Sequence, residues 1–297
     1  MPKKMLDPDT KLLVNSVSMK NIKSWVNELS SFPTRHTKSK YVNQAAKYIK
    51  QEFNKIGYNH VTYHKYTSKI DGTEYNLKNI ICYKKGSNKQ IILVCAHYDS
   101  RMEDLNDAVS LAPGANDNAT GVAAILEISR ILCSVSMDRD ILFALFSGEE
   151  QDLLGSSQYA RYVAENSMNI YRLINLDMIG SPFLNQGKIT VERDNNKNRK
   201  HNQVKENDRE SIKFGKVMKG ASRYTDLSVR LGSMFDSDYE PFEAEGIVVI
   251  GAYDGSAESE NPHYHSTTDT ADFINWAFLT SVTKMVLATV VTEARKQ

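Results

Sequence analysis

The sequence predicts an α/β fold: a single domain with a mostly parallel, mixed and twisted sheet flanked by helices on both faces. Three observations predict it. Short apolar runs at residues 91–96, 141–146 and 173–176 read as strands buried inside a sheet. Segments of helical periodicity lie between such runs, the alternation that a parallel sheet requires. Each of the three runs also ends in polar residues, and open α/β sheets carry their sites just beyond the carboxyl ends of the strands.

The elements follow in order. Val42, Ala45, Ala46, Ile49, Phe53 and Ile56 recur at helical spacing, and Gly57 supplies a stop. Strands are expected at 61–66 and 77–83, with an Asp71-Gly72 turn between them. The run at 91–96 leads to His97. Asn118 and Thr120 can cap a helix through Val122, Ile125, Leu126, Ile128 and Leu132. The run at 141–146 leads to Glu149, a helix is expected near 153–163, and the run at 173–176 leads to Asp177. From Asp194 to Glu210 the chain is almost wholly polar (DNNKNRKHNQVKENDRE). Acids and amides interleave with its Lys and Arg, so it reads as a solvated surface loop rather than a nucleic-acid tract. A helix resumes near 214–221, a strand near 246–253, and an amphipathic helix at 276–291 closes the chain. Without repeats or Pro- and Gly-rich linkers, residues 1–297 are expected to form one domain.

Composition excludes some classes. Hydrophobic content of 41% and charged content of 25% are ordinary for a soluble globular protein. A net charge of +1 gives no electrostatic footprint for nucleic acid or an anionic membrane, and neither is an expected partner. No apolar run reads as long enough to span a membrane, and MPKKMLDPDTK lacks the apolar core of a signal peptide. A cytoplasmic chain and a secreted one with its signal removed both stay open. Cys82, Cys95 and Cys133 lie in apolar segments without CxxC spacing and read as buried free thiols. Nothing in the sequence sets an oligomeric state.

Five short segments carry groups that bind metals or move protons. They are CAHYDS around His97, PGANDNATG around Asp117, FSGEEQ with Glu149 and Glu150, NLDMIG around Asp177, and PHYHSTTD around His265. Histidine with carboxylate, and no thiolate, suits two zinc-like ions better than a structural zinc. The adjacent Glu149 and Glu150 repel each other unless a cation or proton lies between them. His36, His60, His64 and His201 stand apart from these segments and read as surface or satisfied core residues.

At these residues the chain resembles a cocatalytic zinc aminopeptidase of the bacterial leucyl aminopeptidase type, a family that also contains glutaminyl cyclases. The resemblance runs from FPTRHT near Phe32 to HSTTDT near His265, with the motifs in the family's order. It implies two zinc ions, or other divalent transition metals, and release of the N-terminal residue from peptides with a free N-terminus. It implies that Asp117 bridges the ions, that His97 and Asp177 complete one site, and that Glu150 and His265 complete the other. Glu149 would be the general base. Asp99 would hold the His97 ring, since a ligating histidine needs its second nitrogen fixed; a plain turn residue is the alternative. The resemblance further implies a cis peptide bond between Asp117 and Asn118.

Two features depart from the family or invite confusion. Ser237-Asp238 is followed by Tyr239 where many relatives have histidine, which alters the expected substrate pocket. His263 lies two residues before His265, but the family's ligand directly precedes the Ser/Thr-rich stretch, so His265 is favoured. Tyr239, Phe242, Tyr253 and Tyr264 are candidates for the pocket wall. Two other functions stay open: a one-zinc glutaminyl-peptide cyclotransferase, and a catalytically inactive binding ectodomain. Intact GANDNATG favours the peptidase over the cyclase, and the full set of ligands and base argues against the inactive fold.

Overall fold

A computed structural model gives the fold, and residues 6–181, 187–195, 197, 200–255 and 261–295 are described. Two helices, α1 (Pro8–Asn15) and α2 (Met19–Ser30), precede the first sequence-predicted one. In α2 the Ser18 hydroxyl accepts the Asn21 N–H at the N-terminus, and Ile22, Trp25, Val26 and Leu29 are buried at helical spacing. Helix α3 (Lys40–Ile56) buries Val42, Ala45, Ala46, Ile49 and Phe53, the face its periodicity predicts, and ends at Gly57. Strands β1 (Val61–Ile70) and β2 (Thr73–Lys84) form a hairpin around the expected Asp71-Gly72 turn.

The central strands are β3 (Ile91–His97), β4 (Asp140–Phe146) and β5 (Ile170–Leu176). Every residue of β3 and β4 is buried, which is why these strands read as unbroken apolar runs rather than alternating ones. They are joined by α4 (Thr120–Leu132) and α5 (Leu154–Glu165). Strand β6 (Lys188–Arg193), helix α6 (Asp208–Ala221), strand β7 (Ser228–Ser233) and the short α7 (Glu240–Ala244) follow. Strand β8 (Val249–Tyr253) and helix α8 (Trp276–Ala294) complete the order. The sheet runs β1-β2-β4-β3-β5-β8-β6-β7. Strands β4, β3, β5 and β8 are mutually parallel, β6 is antiparallel to β8, and the hairpin is antiparallel to β4. Helices cover both faces: α3, α4, α6 and α8 pack on one side, and α5 with α7 on the other. The fold class is α/β with a mixed sheet, as predicted.

Three expectations need correction. Helix α8 is long and apolar enough to cross a membrane by length and composition, contrary to the sequence reading, but 78% of its most apolar window is buried by the fold. The 194–210 segment is not simply a solvated loop: Asp194, His201, Asn202, Asn207 and Asp208 are buried, and α6 starts at Asp208. Some of its polar groups find partners in the fold, with Asn202 Nδ2 donating to Asp208 at 2.8 Å and His201 Nδ1 lying 2.6 Å from Glu240. At the start of α4, Asn118 Oδ1 accepts the Gly121 N–H at 3.0 Å, whereas the Thr120 hydroxyl donates back to Asn116 O. Gly121 is required there. A Cβ would stand 2.5 Å from Asn118 Oδ1 and 2.6 Å from the Leu176 carbonyl, so only glycine lets α4 approach the end of β5 this closely.

Candidate metal centre and active-site cleft

The sheet register brings the chemistry together. His97 ends β3 opposite Phe146, the last residue of β4, and Glu149 and Glu150 follow three and four residues later. Asn175 on β5 pairs with Cys95 on β3, so Asp177 emerges beside His97 at the same sheet edge. Asp117 reaches this edge from the kinked segment that precedes α4, and His265 from the loop before α8. The Asp117-Asn118 peptide bond is cis.

Asp117 lies between two groups of ligand type. Its Oδ1 is 3.1 Å from His97 Nε2, which is 3.3 Å from Asp177 Oδ1. Its Oδ2 is 3.1 Å from His265 Nε2, which is 3.1 Å from Glu150 Oε2. In the triads His97/Asp117/Asp177 and Asp117/Glu150/His265 the ligand atoms lie within 4.8 Å of one another. The donors are imidazole nitrogen and carboxylate oxygen, the set that suits zinc with open coordination positions. His265 Nε2 and Glu150 Oε1 are buried without hydrogen-bond partners, as ligands awaiting a cation would be. His263 turns elsewhere: its Nδ1 is 2.8 Å from Thr268 Oγ1 and its ring stacks on Phe273.

The surroundings explain how the groups are held. Buried Asp99 accepts the Glu149 and Glu150 N–H groups, both at 3.3 Å, and the Thr37 hydroxyl at 3.2 Å. Its Oδ1 faces His97 Nδ1 at 3.7 Å, beyond hydrogen-bond length. Burial pushes the Asp99 carboxyl up to about 6, opposed by His97 and reinforced by Glu150. Burial raises Glu149 well above the usual carboxylate range, with Glu150 and Asp177 adding to it and His97 opposing. For His97, burial works against the charged ring, but Glu149, Asp177 and Asp117 outweigh it and raise its pKa well above normal. A cation is what this crowd of acids attracts.

Sequence reasoning missed several supporting residues. Ser237 donates to Asp177 Oδ2 at 2.6 Å and itself receives Asn175 Nδ2. Arg101 Nε donates to Glu150 Oε2 at 2.8 Å, and Asp269 accepts the Asn116 and Asp117 N–H groups. Arg35, wholly buried, donates to the carbonyls of Leu29, Tyr98, Pro113 and Gly114 and so pins the turn before Asp117. Arg35 falls inside the FPTRHT motif and Asp269 inside HSTTD, so position in a motif was the available signal. Of the histidines set aside, His36 is buried and His64 half-buried with hydrogen bonds, and His60 is exposed.

A cleft of about 1000 Å³ opens over the centre. Tyr239, Tyr253 and Tyr264 line it, as expected, but Phe242 does not: it packs against Phe146 and Tyr159 in the core.

The model of Peptidase family M28 matches residues 79–290. Aminopeptidase YwaD of Bacillus subtilis is 33% identical over 232 residues, covering 76% of this chain and 46% of that protein. A probable zinc metalloprotease of Leptosphaeria maculans is 27% identical over 327 residues, covering 95% of this chain and 76% of its own length. The chain spans less than half the length of the first curated relatives it matches. Among solved structures, an aminopeptidase from Aneurinibacillus sp. strain AM-1 superposes with a TM-score of 0.80 at 19% identity, covering 97% of each chain. The LapA aminopeptidase of Legionella pneumophila gives 0.78 at 19% identity over 100% of this chain and 78% of its own. The fold is thus shared with solved aminopeptidases, and by its sequence the chain belongs to Peptidase family M28.

Proposed function

We propose that this chain is a zinc-dependent aminopeptidase whose centre takes two ions. His97, Asp117 and Asp177 would hold one, and Asp117, Glu150 and His265 the other. The observation that carries the reading is the position of Asp117, each of whose oxygens stands 3.1 Å from a different histidine. A one-ion cyclotransferase needs no such sharing, and an inactive fold needs neither triad. When bound, two such ions acidify a water and polarise the carbonyl oxygen of the scissile bond.

The residues of the chain do the rest. Glu149 lines the cleft without belonging to either triad, and its raised pKa suits it to take the proton of the attacking water. It then returns that proton to the departing nitrogen as the C–N bond breaks, leaving a free carboxylate and a free amine. Asp99 fixes the backbone of Glu149 and Glu150 and faces the His97 ring, which supports a positioning role. The floor of Asp177, Glu149 and Glu150 favours a substrate that brings an ammonium group, and hence an unblocked N-terminus.

The test uses the zinc-loaded chain on an aminoacyl p-nitroanilide, its N-acetylated counterpart and a peptide beginning with glutamine. Turnover of the free anilide alone, with stepwise release of amino acids from the peptide, is expected. Pyroglutamate formation without amino-acid release would hand the assignment to the cyclotransferase. No turnover of any substrate would favour the inactive fold.

A further inference from the structure

One buried acid on the cleft wall has no part in this chemistry. Glu192, on β6, is 7% exposed and lines the cleft together with Met178, Ser237, Tyr239 and Tyr253. It stands in register with Gly251 on β8, which in turn pairs with Asn175 on β5, two residues before Asp177. A Cβ on Gly251 would lie 2.6 Å from Glu192 Oε2 and 2.6 Å from a ring carbon of Tyr239. The glycine thus leaves the room that lets the carboxylate lie across β8, toward the strand that carries Asp177. The position is built, because the Tyr239 hydroxyl donates to Glu192 Oε2 at 2.9 Å while accepting the Phe235 N–H at 2.7 Å.

An isolated buried carboxylate is costly unless something meets it. Burial, with Asp177 adding, pushes Glu192 up to about 8, opposed by the Tyr239 hydrogen bond and by exposed Arg230 on β7. Among the described residues no lysine, arginine or histidine forms an ion pair with it. Its partner is therefore to be sought in what enters the cleft. A substrate bound with its α-amine at the metal centre can direct its first side chain along this wall. Met178 and Tyr253 line the same cleft as the acid and offer apolar contact to an alkyl stem, which matches a long side chain with a cationic end.

We propose that Glu192, held by Tyr239, is a specificity-determining residue that selects peptides with lysine or arginine at the N-terminus. The proposal rests on the aminopeptidase reading for the placement of the α-amine. A lysine side chain reaching Glu192 forms a charge-assisted hydrogen bond, whereas the uncharged norleucine of similar length does not. Removing a hydrogen bond to a charged group is worth roughly 10- to 100-fold in affinity.

The test compares kcat/KM for lysyl and norleucyl p-nitroanilides in the zinc-loaded wild type, Glu192→Gln and Tyr239→Phe. The ratio within each protein cancels any loss of folded enzyme. The lysyl substrate should lead in the wild type, the ratio should fall roughly 10- to 100-fold in Glu192→Gln, and Tyr239→Phe should lower it less. A wild-type preference for norleucine, or a ratio unmoved in Glu192→Gln, would overturn the proposal and leave the Tyr239–Glu192 pair as scaffold. Calorimetric titration with lysine amide and norleucine amide reads the same selectivity without turnover. If no anilide is hydrolysed, the aminopeptidase reading fails, and calorimetry alone decides the pocket: tighter lysine amide binding that Glu192→Gln abolishes upholds it, equal binding overturns it.

Discussion

Replacing Arg35 with methionine tests how the fold fixes the segment that presents Asp117. The guanidinium is wholly buried, and burial lowers its pKa to about 10, so it is still a cation at neutral pH. It donates to four backbone carbonyls, two of which, those of Pro113 and Gly114, form the turn leading to Asp117. Methionine fills part of the volume but offers no donor. A buried acceptor left unsatisfied costs about 1–3 kcal/mol. The lower end applies, because carbonyls tolerate loss of a partner better than N–H groups and because a buried cation is removed as well. Four carbonyls at about 1 kcal/mol each give roughly 4 kcal/mol. At about 2.1 cal/mol/K per residue the unfolding entropy of a chain this long is roughly 0.6 kcal/mol/K, so Tm should fall by about 6 °C. Scanning calorimetry on metal-free protein measures this directly. A fall of less than about 2 °C would refute the reasoning that these hydrogen bonds hold the turn.

Other substitutions separate roles within the centre. Glu149→Gln should lower kcat by about 10²–10⁴-fold while zinc content is unchanged; loss of zinc instead would make Glu149 a ligand, a real alternative given its grouping with His97 and Glu150. His265→Ala should reduce bound zinc from two ions to one, whereas His263→Ala should retain both while losing the Nδ1 contact with Thr268 and the stacking on Phe273, the latter worth about 0.5–1.5 kcal/mol. The reverse pattern by metal analysis would exchange the two histidines.

The parts legible in the sequence are those where one physical signal dominated. Strands β3 and β4 are buried on both faces, so their apolar runs could not be mistaken for surface. The grouping of His97, Asp117, Glu150, Asp177 and His265 followed from strand ends, motif order and family resemblance. What escaped was short or paired at long range. Strand β7 is half-exposed along SVRLGS, and α7 has only 5 residues, so neither carries a strong period. The 194–210 stretch misled through composition, because Asn202 with Asp208 and His201 with Glu240 bury polar groups in pairs that no local pattern reveals. Arg35 escaped for the same reason: its partners Tyr98, Pro113 and Gly114 are 63 to 79 residues away. Tyr239 was visible as a departure from the family, but its contact with Glu192 needed the register of β6 against β8.

The central claim is that a single carboxylate, that of Asp117, is shared between two metal ions. Mass-spectrometric zinc analysis of wild type and Asp117→Asn, each dialysed against the same zinc buffer, tests it most directly. Two zinc ions per chain are expected in the wild type and fewer than one in the variant, because an amide offers one neutral oxygen where two charged ones are needed. One ion per chain in the wild type, or two retained in Asp117→Asn, would contradict the account.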